Sequence, residues 1–229
     1  MIRRSALLRS VGAILVVSFF VESVSVWAPV SVASGLPVGD TAEHRWAIAF
    51  RLGVLYGLRR SEVSALRWDD VDTKANTLRI DESLVATNTG AAWSNAKNER
   101  SRRVIPIDAE TMRVISRRRA EQAIERLAAG AEWEDNDLII ATRSGRLVLP
   151  RSFGRSLALV IDKAGLPRLT SPGLRHTAAS HMVQGSNDLG ELRAIADILG
   201  HSPEMLMNTY AHALPNSQAA VVDRIGRRR

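Results

Sequence analysis

A mostly helical α+β fold, with amphipathic helices gathered around one small antiparallel sheet, is what this sequence predicts, and three observations carry the expectation. Apolar residues recur at helical spacing in stretches running from Thr41 to Tyr210. β-like character is confined to two segments, Thr77 to Val85 and Arg103 to Ile107. The 229 residues are 45% hydrophobic and 24% charged, the proportions of a chain that folds around its own core as one or two domains.

Residues 1–40 read as an atypical leader. Arg3, Arg4 and Arg9 precede an apolar run from Val11 to Val21, too short to span a bilayer but of signal-peptide length, with the small residues Ala28 and Ala33 downstream. Glu22 interrupts the tail of that run, and the reading adopted is a cytoplasmic protein, not a membrane one, with a signal-like or rearranged leader. The net charge of +7 favours a polyanionic partner such as DNA, although ribosomal and membrane-surface proteins share it. With no cysteine, disulfides, thiolate chemistry and cysteine-ligated zinc are excluded. No internal repeat, P-loop or zinc spacing is present, so neither cofactor nor metal is expected.

From Thr41 onward, Trp46, Ala49, Phe50 and Gly53 form one helical face that ends near Gly57, and Arg59 follows the break. A short helix over Ser61 to Leu66 would hold Glu62 in its first turn. Between the two β-like segments, a loop containing Gly90 and the polar run Ser94 to Ser101 would carry Lys97 at an exposed, mobile tip. Met112 to Leu127 reads as a charged helix, its run Arg117-Arg118-Arg119 balanced by Glu121 and Glu125 on a solvated face. Leu138 to Ala141 and Leu147 to Leu149 flank a Ser144-Gly145 turn. The stripe Phe153, Leu157, Val160, Ile161 and Ala164 then marks a packing helix.

The last third of the chain brings polar groups to places where apolar ones are expected. Ser171-Pro172 looks like an N-cap with proline at the first helical position, and Arg175, Ala178, Ala179 and Met182 follow at helical spacing. Arg175 therefore shares a core-facing stripe, where a guanidinium needs an anion, either an internal carboxylate or a ligand phosphate. Leu192, Ile195, Ala196 and Leu199 repeat the pattern after Asn187-Asp188, and Gly200 ends that helix, throwing His201 beyond it. Ser202-Pro203-Glu204 opens another helix with Tyr210 at or just past its last turn, which would bring the phenol near His201. The tail 216–229 ends in Arg227-Arg228-Arg229, an untethered basic terminus.

Taken in order, Tyr56-Gly57-Leu58-Arg59-Arg60-Ser61-Glu62, Leu66-Arg67-Trp68-Asp69-Asp70-Val71-Asp72, the string from Ala96 to Pro106 with its Lys97, Leu174-Arg175-His176-Thr177, Leu199-Gly200-His201 and Asn208-Thr209-Tyr210 resemble the motif series of the tyrosine recombinase, or phage integrase, family. The resemblance runs from about Arg45 to His212 and implies a catalytic domain over 41–215. It implies site-specific DNA recombination or integration through a 3′-phosphotyrosyl intermediate, with double-stranded DNA as partner and a homo-oligomer, a tetramer, on that DNA. In its terms Tyr210 is the nucleophile, Arg59 and Arg175 clamp the phosphate, Lys97 is the general acid, and His201 contacts the phosphate or orients the nucleophile. His176 is then structural, and His181 and His212 serve packing or solvent contact. Arg59, Arg175, His201 and Tyr210 should lie around one concave basic surface.

Two departures stand against that pattern. Relatives carry a helical DNA-clamping domain before the catalytic one, and this chain reads as truncated or rearranged in its place. The family also sets a histidine three residues before its second arginine, where Pro172 stands here, and proline moves no proton. Slowed chemistry is the expectation; the alternatives are a catalytically inactive DNA-binding remnant of an integrase, and a topoisomerase using the same tyrosine. Restoring histidine, either as Pro172→His or inserted between Pro172 and Gly173, is the expected repair, and the insertion, which keeps Ser171-Pro172 as the cap, is the preferred one.

Overall fold

Helix α1 (Ala42–Leu55) opens the core, and its burial extends beyond the face of Trp46, Ala49, Phe50 and Gly53: Ile48 and Leu52 are as fully buried as Ala49, while Trp46 is only half-buried. The computed structural model describes residues 42–88, 90–95, 102–186 and 188–210. The leader over 1–40, the Lys97 tip, His212 and the tail over 216–229 lie outside the described residues. Gly57, at φ +64°, ends the α1 segment in the left-handed region, and the Leu58 N–H donates to the Leu52 carbonyl at 3.3 Å. The next helix, α2 (Arg60–Ala65), starts at once.

Strands β1 (Val71–Asp72), β2 (Thr77–Ile80) and β5 (Arg103–Pro106) form an antiparallel sheet in the order β1-β2-β5, with Leu78 opposite Ile105 in the core. This is the small antiparallel sheet that the sequence predicts, and a second one stands beside it in the chain. Strands β3 (Glu82–Thr87) and β4 (Gly90–Asn95) make a second, two-stranded sheet, and the segment read as a Gly90 loop is one of its strands. Gly90, Ala91 and Ala92 have little strand preference of their own; pairing with Thr87, Ala86 and Val85 makes them a strand. Trp93 gives this ribbon a purpose in packing, its ring lying 4.1 Å from the Arg67 guanidinium.

Helix α3 (Ala109–Ala129) is capped by Asp108, whose carboxylate accepts from the Thr111 N–H at 3.0 Å. Its arginine run is only partly a solvated face. Arg118 is 1% exposed and donates to both Glu125 oxygens at 3.1 and 2.8 Å and to the Ile139 carbonyl at 3.2 Å. Seven residues make almost two helical turns, so the two charges stack on the buried face and satisfy each other there. Arg117 and Arg119 remain outside.

Helix α4 (Pro150–Lys163) lays Phe153, Leu157 and Ile161 in the core, with the Phe153 ring edge-on to Phe50 at 5.3 Å. Helix α5 (Ser171–Gln184) is capped by Thr170 rather than Ser171: the Thr170 hydroxyl accepts from the Gly173 N–H at 3.2 Å and its carbonyl from Leu174 at 2.8 Å. Pro172 is consequently the second helical residue, where its missing N–H costs nothing. Helix α6 (Leu189–Leu199) is capped by Asp188 and stops at Gly200, φ 64° and ψ 44°. Helix α7 (Pro203–Tyr210) starts with the Met205 N–H on the Ser202 hydroxyl at 3.1 Å.

These helices divide the interior. The larger core joins α1 to α4 and the three-stranded sheet, while Ala179, Val183, Ile195, Ala196, Leu199, Leu206 and Tyr210 form a smaller one between α5, α6 and α7. No helix among the described residues is long and apolar enough to cross a membrane.

Candidate active site

Arg175 lies at the seam between the two cores. Its Nη1 donates to the Gly57 carbonyl at 2.6 Å, and its Nη2 donates to the Leu199 carbonyl and meets His201 Nε2 at 2.8 Å. Of the two anions open to it, an internal carboxylate or a ligand phosphate, no carboxylate among the described residues holds it directly. Two main-chain oxygens exposed by helix ends do so instead, leaving its positive charge without a directly bonded carboxylate among the described residues.

The same contact fixes the state of His201. A ring nitrogen that receives a guanidinium hydrogen must be the acceptor, so the ring proton is assigned to Nδ1, and that buried nitrogen has no hydrogen-bond partner among the described residues. Burial, then the charges of Arg175, Arg59 and Arg103, push the imidazole down to about 4, so it is neutral at neutral pH. Burial and the Arg59 charge likewise bring Arg175 down to about 10, still leaving it protonated at neutral pH.

Arg59 joins this group through a carboxylate that the sequence reading placed only in a helix turn. Glu62, third residue of α2, reaches back to accept from the Arg59 N–H at 2.8 Å, half of a capping box, and takes the Arg59 guanidinium at 2.8 Å as well. Arg103, first residue of β5, donates to the two Glu62 oxygens at 3.2 and 3.0 Å. Burial alone would raise the Glu62 carboxyl, but hydrogen bonds and charge from Arg103, then Arg59, hold it below the ordinary carboxylate value. A glutamate three residues after an arginine at a helix start was the one signal available for this arrangement. The role of Arg103 had none, because only folding brings it there.

Tyr210 closes the smaller core at 4% exposure, and its ring rests on His176, with centroids 5.1 Å apart and planes at 35°. The sequence reading set the phenol near His201; the ring partner is His176. Burial raises the Tyr210 phenol and the Arg175 charge opposes that rise, so it is a neutral hydroxyl within the electrostatic reach of Arg175. Beside His201, a cleft of about 430 Å³ opens between β5, α6 and the start of α7, with Arg102, Arg193, Asp197 and Glu204 among its walls. Pro172 is exposed at the start of α5, with no proton-transferring group on its side chain. The described residues thus bring Arg59, Arg175, His201 and Tyr210 to one region, while Lys97 lies outside them.

The profile of the Phage integrase family matches residues 36–217. The chain belongs to that family. Among curated relatives of this phage integrase family member, a XerC tyrosine recombinase of Roseiflexus sp. (strain RS-1) is 30% identical over 189 residues, 82% of this chain and 54% of its own. A XerC-like tyrosine recombinase of Caldanaerobacter subterraneus subsp. tengcongensis is 23% identical over 193 residues, 79% of this chain and 49% of its own. The chain spans about half the length of the curated relatives it matches. In fold it is similar to the Tn1549 transposon integrase in complex with transposon right end DNA, at a TM-score of 0.67 and 22% identity over 82% of this chain and 61% of that one. The XerA recombinase follows at 0.56 and 18%, over 82% of this chain and 60% of that one. These likenesses establish the mostly helical α+β fold with its small antiparallel sheets.

Proposed function

We propose that this chain carries a tyrosine recombinase catalytic domain that cleaves and rejoins double-stranded DNA in site-specific recombination or integration, in the cytoplasm and as a homo-oligomer on its DNA. The observation that carries the reading is the Arg175 guanidinium, held by two carbonyls and His201 so that its charge is positioned but not cancelled, with Arg59 and Tyr210 in the same region. A phosphodiester supplies what this group lacks, an anion with several acceptor oxygens. That the Tn1549 integrase is bound to DNA supports the same partner.

In the step proposed, the Tyr210 oxygen attacks phosphorus and gives its proton to solvent water, the bond from phosphorus to the 5′ oxygen breaks, and a 3′-phosphotyrosyl bond forms. Arg59 and Arg175 stabilise charge gathering on the non-bridging oxygens, an effect for which one lost donor typically costs roughly a hundredfold in rate or more. The departing 5′ oxygen needs a proton, and Lys97 is its proposed donor. His201, neutral and accepting from Arg175 through Nε2, would orient that guanidinium on the phosphate, and would itself donate to a phosphate oxygen only with its proton moved from Nδ1 to Nε2. The energy of the broken bond is kept in the phosphotyrosyl ester, so rejoining needs only the reverse attack by a 5′ hydroxyl.

A second reading, DNA binding without cleavage, is favoured by one feature, the Pro172 side chain where a proton-transferring group is wanted. A nicked duplex that loses its 5′ fragment on cleavage separates the two readings. With the full 229-residue chain, a denaturation-resistant protein–DNA adduct should form and should vanish in Tyr210→Phe while DNA affinity stays within about threefold. No adduct from either protein at saturating DNA would leave only the binding role, and equal adduct from both would take the nucleophile's role away from Tyr210.

A further inference from the structure

We propose that Arg103 is a positioning residue for this site, holding Arg59 and the Arg175–His201 pair in one fixed relation through the Glu62 carboxylate and the Ile198 carbonyl. The proposal rests on the reading above, because what it positions is the phosphate-binding group of that reading.

The argument begins with the end of α6. Four carbonyls at a helix C-terminus have no partner within the helix. Here all four are taken: Ala196 accepts from the His201 N–H at 2.9 Å, Asp197 from Gly200 at 3.1 Å, Ile198 from Arg103 Nε at 2.7 Å, and Leu199 from Arg175. Two consecutive carbonyls are thus assigned to two arginines from different parts of the chain, at the helix end that favours cations. The residue carrying the imidazole follows two positions after the second of them.

The other end of the Arg103 guanidinium accounts for Glu62 just as fully. Oε1 accepts from Arg59 Nη1 and Arg103 Nη1, and Oε2 from the Arg59 N–H and Arg103 Nη2, which fills the carboxylate's acceptor positions. With side chains 6% and 7% exposed, Arg103 and Glu62 have no solvent to substitute for each other. One planar fork therefore spans the first arginine on one side and the α6 terminus on the other. Arg103 also begins β5 opposite Ile80, at the point where the chain returns from the segment carrying Lys97.

Lysine cannot make this span, since its single ammonium reaches a point rather than two edges. Arg103→Lys in the full chain consequently keeps the charge and removes the geometry. Two measurements read it. In the free protein, nitrogen NMR should find His201 titrating at about 4 in the parent, among the charges of Arg175, Arg59, Arg103 and Glu62 and beside Asp197, Glu204 and Arg193. In Arg103→Lys the midpoint should move up by at least one pH unit, because the α6 terminus is no longer pinned and the Arg175–His201 contact loosens. On the nicked duplex at saturating DNA, adduct formation should fall at least tenfold with affinity changed less than threefold. Glu62→Asp, which keeps the charge on a shorter arm, should reproduce both effects.

A folded Arg103→Lys with an unmoved His201 midpoint overturns the proposal, as does an unfolded Arg103→Lys together with an unmoved midpoint in Glu62→Asp. If the parent itself forms no adduct, the cleavage reading fails, while the NMR titration still decides the role of Arg103.

Discussion

A tyrosine that is to act as a nucleophile ought to be reachable, yet Tyr210 is a core residue in the free chain, packed with Leu206 and Leu199 and resting on His176. Burial raises its phenol above the ordinary tyrosine value of about 10, and burial with the Asp108 hydrogen bond raises Tyr56, the only other tyrosine, in the same direction. Absorbance of the native protein near 295 nm should therefore show no tyrosine ionising as the pH passes about 10. Unfolded chains ionise there, so the sign follows directly: stability is unaffected well below pH 10 and falls as the pH rises past it. One equivalent titrating at its ordinary value in the native protein would mean that Tyr210 leaves the small core without DNA. His176 belongs to the same question. In the sequence it reads as structural, and its stacking on Tyr210 is visible only once α5 and α7 are placed side by side.

At the scale of elements, the site is built from ends of helices, and Gly57 is where two of them meet. At φ +64° a side chain there is strained by roughly 1–2 kcal/mol, and a Cβ would also lie 2.6 Å from Leu199 Cδ2. Gly165 has the same φ of +64° with nothing within 4 Å, which makes it the control. Urea unfolding should find Gly165→Ala less stable by about 1–2 kcal/mol and Gly57→Ala by at least about 1 kcal/mol more, with DNA affinity reduced only in the second. Equal losses would show that the approach of Leu199 to Gly57 is looser than described. This dependence on ends explains what the sequence disclosed. Stripes such as Phe153, Leu157 and Ile161 or Leu192, Ile195 and Leu199 announce helices because periodicity is a property of one segment. Strand β4 was not legible, since Ala91 and Ala92 become a strand only through Ala86 and Val85. Arg118 and Glu125 read as surface charge because their burial depends on the Ile139 carbonyl of a distant segment. Arg59, Arg175, His201 and Tyr210 were legible as motif residues, whereas the link through Glu62 and Arg103 was not, being made of contacts 41 and 95 positions apart.

For the whole molecule, the division into two cores sets what can change without unfolding. Pro172 sits on the start of α5, the element that spans both cores through Leu174 and Ala179, so a repair there must not disturb the register of that helix. Inserting histidine after Pro172 was attractive while Ser171 was the expected cap. With Thr170 as the actual cap, bonded to the N–H of Gly173, an insertion would rotate everything before it by about 100° relative to Arg175 or displace that bond. Pro172→His does neither. It leaves Thr170 in place, tolerates an N–H at the second helical position, and sets an imidazole three residues before Arg175, on a neighbouring part of the helix surface. Acid–base catalysis by a placed side chain is worth roughly a hundredfold or more, so single-turnover adduct formation should rise by at least tenfold at saturating DNA even with imperfect placement. Affinity and its salt dependence should stay nearly constant, because the number of phosphates neutralised by lysine and arginine is unchanged. The insertion variant should gain less than the substitution. Should the substitution fold normally and leave the cleavage rate where it was, proline at this position is not what limits the chemistry, and release of Tyr210 from the smaller core becomes the step to measure.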